Sequence, residues 1–567
     1  MPLRAATRGT TWPTRPADEH RQGCHQGVTS ATYGRAMTST AESAPASTAA
    51  LGHAPQRFGR LADAFAGVLA VGAALASGEL LAGLVPGIPA PILAVGRMAI
   101  DLQPPGAKEV VVSLFGTADK LALQVFVVLV GLAIGAGLGV LGRTRRGAAM
   151  AVIGAFVALG LVAGLPDPDA VLVLAVGAAF AELAVGATIL DRLLNLARRD
   201  GGASTQSSTA ASGMPDWSRR KLLVRGGALA VGSVLAGAVG RTFLERQRLT
   251  KPGELPRADD LRALPAGADL GLDGLTPIVV PTEDFYRIDT ALIPPNIDRD
   301  TWQLRIHGMV EREVTLTYAQ LIELPIIEQY VTIACVSNRV GGDLVGNAKW
   351  TGVRLRDVLD LAVVKPGATQ LVGRSADGWT AGSPTAWVMD PEREPMIAIG
   401  MNDAPLTREH GYPARVIVPG LFGYVSATKW VTELELTTLE AFDAYWIPLG
   451  WSKEAPILTQ SRIDVPVRST SIPAGPTNIA GVAWAPDRGV ARVEVSIDEG
   501  DWHEATLSAP ISDTTWVQWA YPWQATVGAH NARVRATDRT GETQTETPTR
   551  PDPNGARGWH RIAFSVT

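Results

Sequence analysis

Apolar and polar positions divide the chain into two unlike halves. Residues 61–84, 121–141, 147–165 and 170–190 are each about 20 residues of Leu, Val, Ala, Gly and Ile, with almost no charge and no polar face. A helix of that length rises about 30 Å, the thickness of a bilayer's hydrocarbon core. The pattern predicts an all-α bundle of four transmembrane spans. A weaker Gly/Ala-rich run over 226–239 predicts a fifth anchor or export helix, and 88–100 is too short to span and predicts an interfacial segment. Later the period changes. Trp302, Leu304 and Ile306 alternate with Gln303, Arg305 and His307, which predicts a strand. Thr317 and Gln320 form a capping box ahead of Pro325. Residues 330–335 read as a β-branched strand ending at Cys335, 353–361 as a helix, 415–418 as a short buried strand and 430–436 as another strand. Interleaved signals of this kind predict an α+β domain. After about residue 456 only strand signals remain. Val493, Val495 and Ile497, then Ala532, Val534 and Ala536, alternate with polar residues and close on turns. That predicts an immunoglobulin-like β-sandwich.

The expected multi-domain order is a disordered cytoplasmic N-terminus (1–60, with Met37 an alternative start), the four-span region (61–192) and a cytoplasmic linker (193–225). A fifth membrane helix (226–244), an extracytoplasmic linker (245–277), the α+β domain (278–455) and the sandwich (456–567) follow. Arg57 and Arg60, Arg143, Arg145 and Arg146, and Arg192, Arg198 and Arg199 flank alternate loops, whereas 166–169 carry no basic residue. The positive-inside rule therefore puts the N-terminus in the cytoplasm and everything after Arg241 outside the plasma membrane. Ser218-Arg219-Arg220-Lys221-Leu222-Leu223 resembles a twin-arginine export signal. The bland alternative is the basic flank of a fifth span. Ala236-Gly237-Ala238 fits a cleavage pattern, but such a run produces one by chance, so an uncleaved anchor is expected.

Composition narrows the chemistry. A net charge of −4 over 567 residues gives no basic excess for nucleic acid, and 46% hydrophobic content excludes a wholly disordered chain. Two cysteines, Cys24 and Cys335, exclude a disulfide scaffold, a zinc ribbon and a cysteine-ligated iron–sulfur cluster. No histidine falls in a span, so bis-histidine haem is excluded there, and no Cys-x-x-Cys-His site exists. Asp63, Glu79, Glu182 and Asp191 are intramembrane or span-end carboxylates, functional candidates by default. Pairing or snorkelling explains them as well, so the region reads mainly as an anchor.

Free Cys is most often a small buried hydrophobe. Cys335, however, ends a β run and opens a loop containing Ser337, Asn338, Arg339, Gly341 and Gly342. A nearby cation and open backbone amides favour thiolate, and thiolates ligate soft or high-valent metals. A cysteine-protease reading would need His307 or His410 as partner and has no local signature.

Tyr330-Val-Thr-Ile-Ala-Cys335-Val-Ser-Asn338-Arg339, with Lys349-Trp350-Thr-Gly352 and Asp357 following, resembles the cofactor core of the sulfite oxidase family of molybdopterin enzymes. His410-Gly411-Tyr412-Pro413-Ala-Arg415, running on to Lys429-Trp430, is similar to that family's second signature, and Asp284-Phe285-Tyr286-Arg287 to its opening segment. The resemblance covers roughly 275–567. It implies a molybdenum–pyranopterin cofactor with Cys335 as the metal ligand. Tyr286, Asn338, His410, Arg415 and Lys429 are implied in the cofactor pocket, and Arg287 beside the substrate. It also implies two-electron oxygen-atom transfer, with a separate electron carrier and no haem. The last domain looks like the family's dimerisation-type domain, which would allow a homodimer.

Departures bear on the substrate. Val340 stands where a second arginine is usual, the 341–348 loop is short and lacks a tryptophan, and the substrate-pocket tyrosine is replaced near Thr380. Arg550 is a stand-in cation only at unusual spacing. A weakened cation cluster disfavours sulfite and favours an S- or N-oxide, free or protein-bound; the exported methionine-sulfoxide reductase branch shares the Phe-Tyr start. The alternatives are a membrane-tethered binding or adhesion module with a degenerate cofactor site, and a transporter resting on Glu79 and Glu182.

Overall fold

The structure, a computed structural model, describes residues 54–103, 111, 114–115, 119–167, 170–202, 217–246 and 253–567. The expected disordered N-terminus up to residue 53, Met37, Cys24, residues 203–216 of the linker and the side chains of Arg219 and Arg220 lie outside the described residues.

Six helices open the described chain: α1 (Ala54–Leu84), α2 (Pro91–Asp101), α3 (Asp119–Thr144), α4 (Arg146–Gly164), α5 (Leu172–Gly202) and α6 (Trp217–Arg246). Five contain stretches long and apolar enough to cross a membrane: Arg60–Leu84, Lys120–Thr144, Arg146–Gly164, Leu172–Leu196 and Leu223–Leu244. The fifth is longer than its Gly/Ala core suggested. The short α2 has Pro91 in its first turn, where a missing N–H costs nothing. Phe126, Leu129, Val173, Phe180 and Val234 are exposed on the outside of these helices. An apolar exterior on that scale fits lipid rather than water as solvent.

Glycine sets how closely the helices approach. A Cβ on Gly67 would lie 1.9 Å from the Gly135 carbonyl oxygen, and one on Gly83 would lie 2.1 Å from that of Gly240. Backbone thus meets backbone along α1, as small residues allow in lipid. Arg143 donates to Asp63 (2.7 Å), Arg146 donates to Asp191 (2.9 Å), and Glu79 accepts from the Ile92 amide of α2 (3.0 Å), while Glu182 is buried. The arginine-rich ends of α3, α4 and α5 lie at one end of the bundle. The other end meets the β-rich region: Ala90, Arg97, Gly164 and Val171 share a cavity with Leu292 and Asp377.

The remainder is built on β-sheets. One five-stranded sheet runs in the order Val314–Thr317, Gln303–Gly308, Val431–Thr437, Gln370–Ser375, Thr380–Pro384. Gln303–Gly308 and Val431–Thr437 are parallel, which joins distant parts of the chain. A second sheet orders Ile326–Ala334, Val345–Arg354, Met396–Met401 and Ala404–Pro405, with Arg415–Ile417 also on Met396–Met401. As expected, Leu304 and Ile306 point inward. The capping box forms: the Gln320 amide donates to Thr317 Oγ1 (3.3 Å), and the Thr317 amide to Gln320 Oε1 (2.9 Å). The helix expected at 353–361 starts only at Leu355, because Val353 and Arg354 still pair in the sheet.

Two further sheets follow residue 456, one of four strands and one of five. Ile463, Ile479 and Trp519 of the first share a core with Val493, Val534 and Phe564 of the second. Two boundaries are less open than the sequence suggested. Residues 253–277 are no free linker: Ala258 and Ala268 are buried in the core of the region that follows, and the Leu270 amide donates to Gln518 Oε1 (2.7 Å). Val482, Trp484 and Trp516, from beyond residue 456, also belong to that core. Trp516 Nε1 donates to the Ile278 carbonyl (2.8 Å), and its amide donates to Thr332 Oγ1 (2.8 Å).

Candidate functional site

Tyr286, Cys335, Trp379, Arg415, Tyr424 and Lys429 line one cavity in the β-rich region. Cys335 leaves the strand Ile326–Ala334 half-buried. Its amide donates to the Leu344 carbonyl (2.9 Å), and its carbonyl accepts from the Asn338 amide (3.0 Å). Asn338 Oδ1 accepts from the Leu344 amide (3.0 Å), so Asn338 closes the loop rather than lining the cavity. Arg462 Nη1, from beyond residue 456, clamps the far side through the Gly342 carbonyl (2.8 Å).

Residues 285–290 pass this loop without regular secondary structure. Phe285 is buried against Trp350 and His410, while Tyr286 stacks on it and faces the cavity. Burial, then the neighbouring Cys335, pushes the Tyr286 phenol far above its ordinary range, with Arg415 opposing. It is therefore a neutral hydrogen-bond donor at physiological pH. Arg287 alternates outward. It is exposed and does not line the cavity. Arg339 is likewise exposed, and Arg550 pairs with Asp552 (3.0 Å) in solvent. Thr380 Oγ1 accepts from the Tyr445 amide (3.0 Å).

Arg415 and Lys429 are the buried cations of the site. Arg415 Nη1 donates to the His410 carbonyl (3.1 Å), its guanidinium lies 4.9 Å from the Trp350 ring centroid, and its Nε is buried with no partner. No carboxylate pairs with it among the described residues. Burial pushes it down to about 10, against the pull of Tyr286, so it remains charged at neutral pH. Lys429 Nζ donates to Asp289 Oδ2 (2.8 Å) and the Glu409 carbonyl (2.9 Å). Asp289 also meets Lys120, from the start of α3. Burial would raise the Asp289 carboxyl, but the ammoniums of Lys429 and Lys120 hold it well below the usual range.

His410 is buried outside the cavity, with Nε2 donating to the Thr282 carbonyl (3.0 Å). Its carbonyl accepts from Arg415 Nη1 (3.1 Å), which helps to position that guanidinium. Burial, then Arg415 and Lys429, depresses it to about 4. A folded pKa below the ordinary 6.5 means the unfolded chain binds the extra proton first. The stabilisation is complete above pH 6.5 and lost as pH falls through 4. The expected loss over that window is about 3 kcal/mol. Thermal melts at pH 7, 5.5 and 4 should show a steeper decline in wild type than in His410→Gln. Parallel declines would refute it.

Sequence reasoning missed Asp289, Tyr424, Trp379, Trp446 and Trp451, all on the cavity wall. Only the crowding of thirteen of the fifteen tryptophans between 302 and 559 hinted at the aromatic lining. The residues suit an anionic, ring-bearing cofactor. Arg415 Nε is an orphaned buried donor, Lys429 adds a second cation, Tyr286 offers a neutral donor, and Cys335 offers a soft ligand atom.

Residues 291–446 match the model of the oxidoreductase molybdopterin binding domain. The chain is 31% identical over 303 residues to the mitochondrial sulfite oxidase of Drosophila melanogaster, covering 46% of this chain and 52% of that protein. It is 27% identical over 316 residues to nitrate reductase (NADH) 1 of Oryza sativa subsp. japonica, covering 44% and 34%. The chain thus spans about half or less of the length of these relatives. Among solved structures, sulfane dehydrogenase SoxCD from Paracoccus pantotrophus aligns at 22% identity and a TM-score of 0.44, covering 56% of this chain and 97% of that one. At that score the likeness adds no argument of its own.

Proposed function

We propose, from the match of residues 291–446 to the oxidoreductase molybdopterin binding domain and the similarity to sulfite oxidases, that this chain is a membrane-anchored extracytoplasmic oxygen-atom transferase of the sulfite oxidase family. The observation that carries the reading is the meeting of Cys335, Tyr286, Arg415 and Lys429 in one cavity. Cys335 would hold the molybdenum, and Arg415 and Lys429 the anionic end of the pterin. When bound, the molybdenum–pterin supplies two-electron oxygen-atom transfer, the chemistry that no side chain offers. The chain's own part is to hold that group, exclude water with an aromatic wall and present the Tyr286 hydroxyl as a fixed donor.

The substrate is read as a neutral S- or N-oxide, free or on a protein, in preference to sulfite. Arg287, Arg339 and Arg550 all lie off the cavity wall, which leaves no arginine cluster for a dianion beyond the residues assigned to the cofactor. Five apolar helices as an anchor, an outward-facing catalytic region and twin-arginine export follow from the basic flanks. The antiparallel order of α3 to α6 supports them, since it sets the arginine-rich ends of α3, α4 and α5 opposite the catalytic region. The region after residue 456 is read as immunoglobulin-like and suited to homodimer contact. A separate carrier exchanges the electrons.

Metal and pterin analysis of the purified full chain, followed by a screen of sulfite, methionine sulfoxide and other S- and N-oxides with an artificial electron carrier, tests this. One molybdenum and one pterin per chain, with turnover on an oxide, is the expected result. Wild type with neither molybdenum nor pterin refutes it.

A further inference from the structure

Asp289 sits between two lysines of different origin. Lys429 lines the cofactor cavity, as does Asp289 itself, whereas Lys120 opens α3, one of the helices apolar enough to cross a membrane. Lys120 Nζ pairs with Asp289 Oδ1 and donates to the Ala291 carbonyl (2.7 Å); Lys429 takes Oδ2 (2.8 Å). The Asp289 side chain is only 6% exposed, so solvent screens these charges poorly. A second contact joins the same two regions: Tyr445 Oη donates to Asp101 Oδ1 of α2 (3.1 Å), next to the cavity residue Trp446.

We propose that Lys120 is a positioning residue of the cofactor pocket. By neutralising Asp289, it leaves the charge of Lys429 free for the cofactor's anionic group. Without Lys120, the carboxylate of Asp289 would cancel Lys429, and Arg415 would be the pocket's one uncompensated cation. With Lys120 the pocket presents two. The helical bundle is then part of the cofactor site, not only its tether. By linkage, seating of the catalytic region on α3 and retention of the cofactor reinforce each other. This inference rests on the proposed cofactor reading.

The test compares full-length wild type, Lys120→Met, Lys120→Arg and the double variant Lys120→Met/Asp289→Asn, purified in detergent. Molybdenum and pterin per chain are measured, together with the rate of pterin loss on dilution. Lys120→Met should lose pterin about tenfold faster. Lys120→Arg should retain it. The double variant should recover to within about twofold of wild type, because removing the acid with its lysine restores the pocket's charge. If Lys120→Met retains pterin as wild type does, the inference fails. It fails equally if the double variant is as leaky as Lys120→Met, since a merely structural ion pair gives that outcome. Far-ultraviolet circular dichroism and a melt of each variant separate misfolding from charge loss. Wild type that carries no pterin at all would instead overturn the functional reading.

Discussion

Cys335→Ser should cut oxygen-atom transfer by about a thousandfold or more, equivalent to about 4 kcal/mol on the barrier, and leave the fold intact. The loop around Cys335 is held by backbone groups and by Asn338: the Cys335 amide on Leu344, the Asn338 amide on Cys335, and Asn338 Oδ1 on Leu344. None of these bonds uses the sulfur. Serine is close to isosteric, so the loop keeps its shape. What changes is the donor atom, because a serine hydroxyl is neither soft nor ionised near neutral pH. Molybdenum content and the metal–sulfur signature in X-ray absorption, read beside melting temperature, separate ligand loss from unfolding. Unchanged coordination and turnover in the variant would remove Cys335 from the site.

Arg415→Met should act in opposite directions on the empty and loaded protein. Arg415 is buried, pairs with no carboxylate among the described residues and keeps Nε unsatisfied. Its return is one bond to the His410 carbonyl and its place over Trp350. A buried charge with so little compensation costs folding energy, and an apolar side chain of similar length relieves that cost. Cofactor-free Arg415→Met should therefore be as stable as cofactor-free wild type, or more so by about 1–2 kcal/mol. Its pterin retention should fall by about a hundredfold, since a charge-assisted donor pair is lost. Melts of protein from a host unable to make the cofactor, set beside pterin content from a normal host, check both halves. A cofactor-free variant much less stable than wild type would make Arg415 a structural residue.

The membrane-type helices were legible because lipid imposes one demand on every exposed position, and 20 residues without charge satisfy it. The alternating strands were legible because sheets with one buried face keep a period of two, as Leu304 and Ile306 do. Cys335, Tyr286, Arg415 and Lys429 followed from local motifs and share the cavity. Arg287 shows where a motif stops. Neighbours there face different sides, and the motif does not say which of Tyr286 and Arg287 turns inward. Asp289 was invisible because its partners lie 140 and 169 residues away. Residues 253–277 read as a linker from their Pro and Gly content, whereas much of their anchoring runs through backbone groups, such as the Leu270 amide on Gln518, which leave no side-chain pattern.

The shared core carries a consequence for how this protein can change through descent. Trp516 reaches the carbonyl of Ile278, Trp484 lies in the same core, and Arg462 grips the loop behind Cys335. A crossover near residue 456 would graft a foreign β region that lacks all three, and the Cys335 loop would lose its brace. The contacts between residues 253–455 and the region beyond therefore make them one structural unit. Any exchange of the apolar helices for another set would have to keep a cation for Asp289, which Lys120 supplies here.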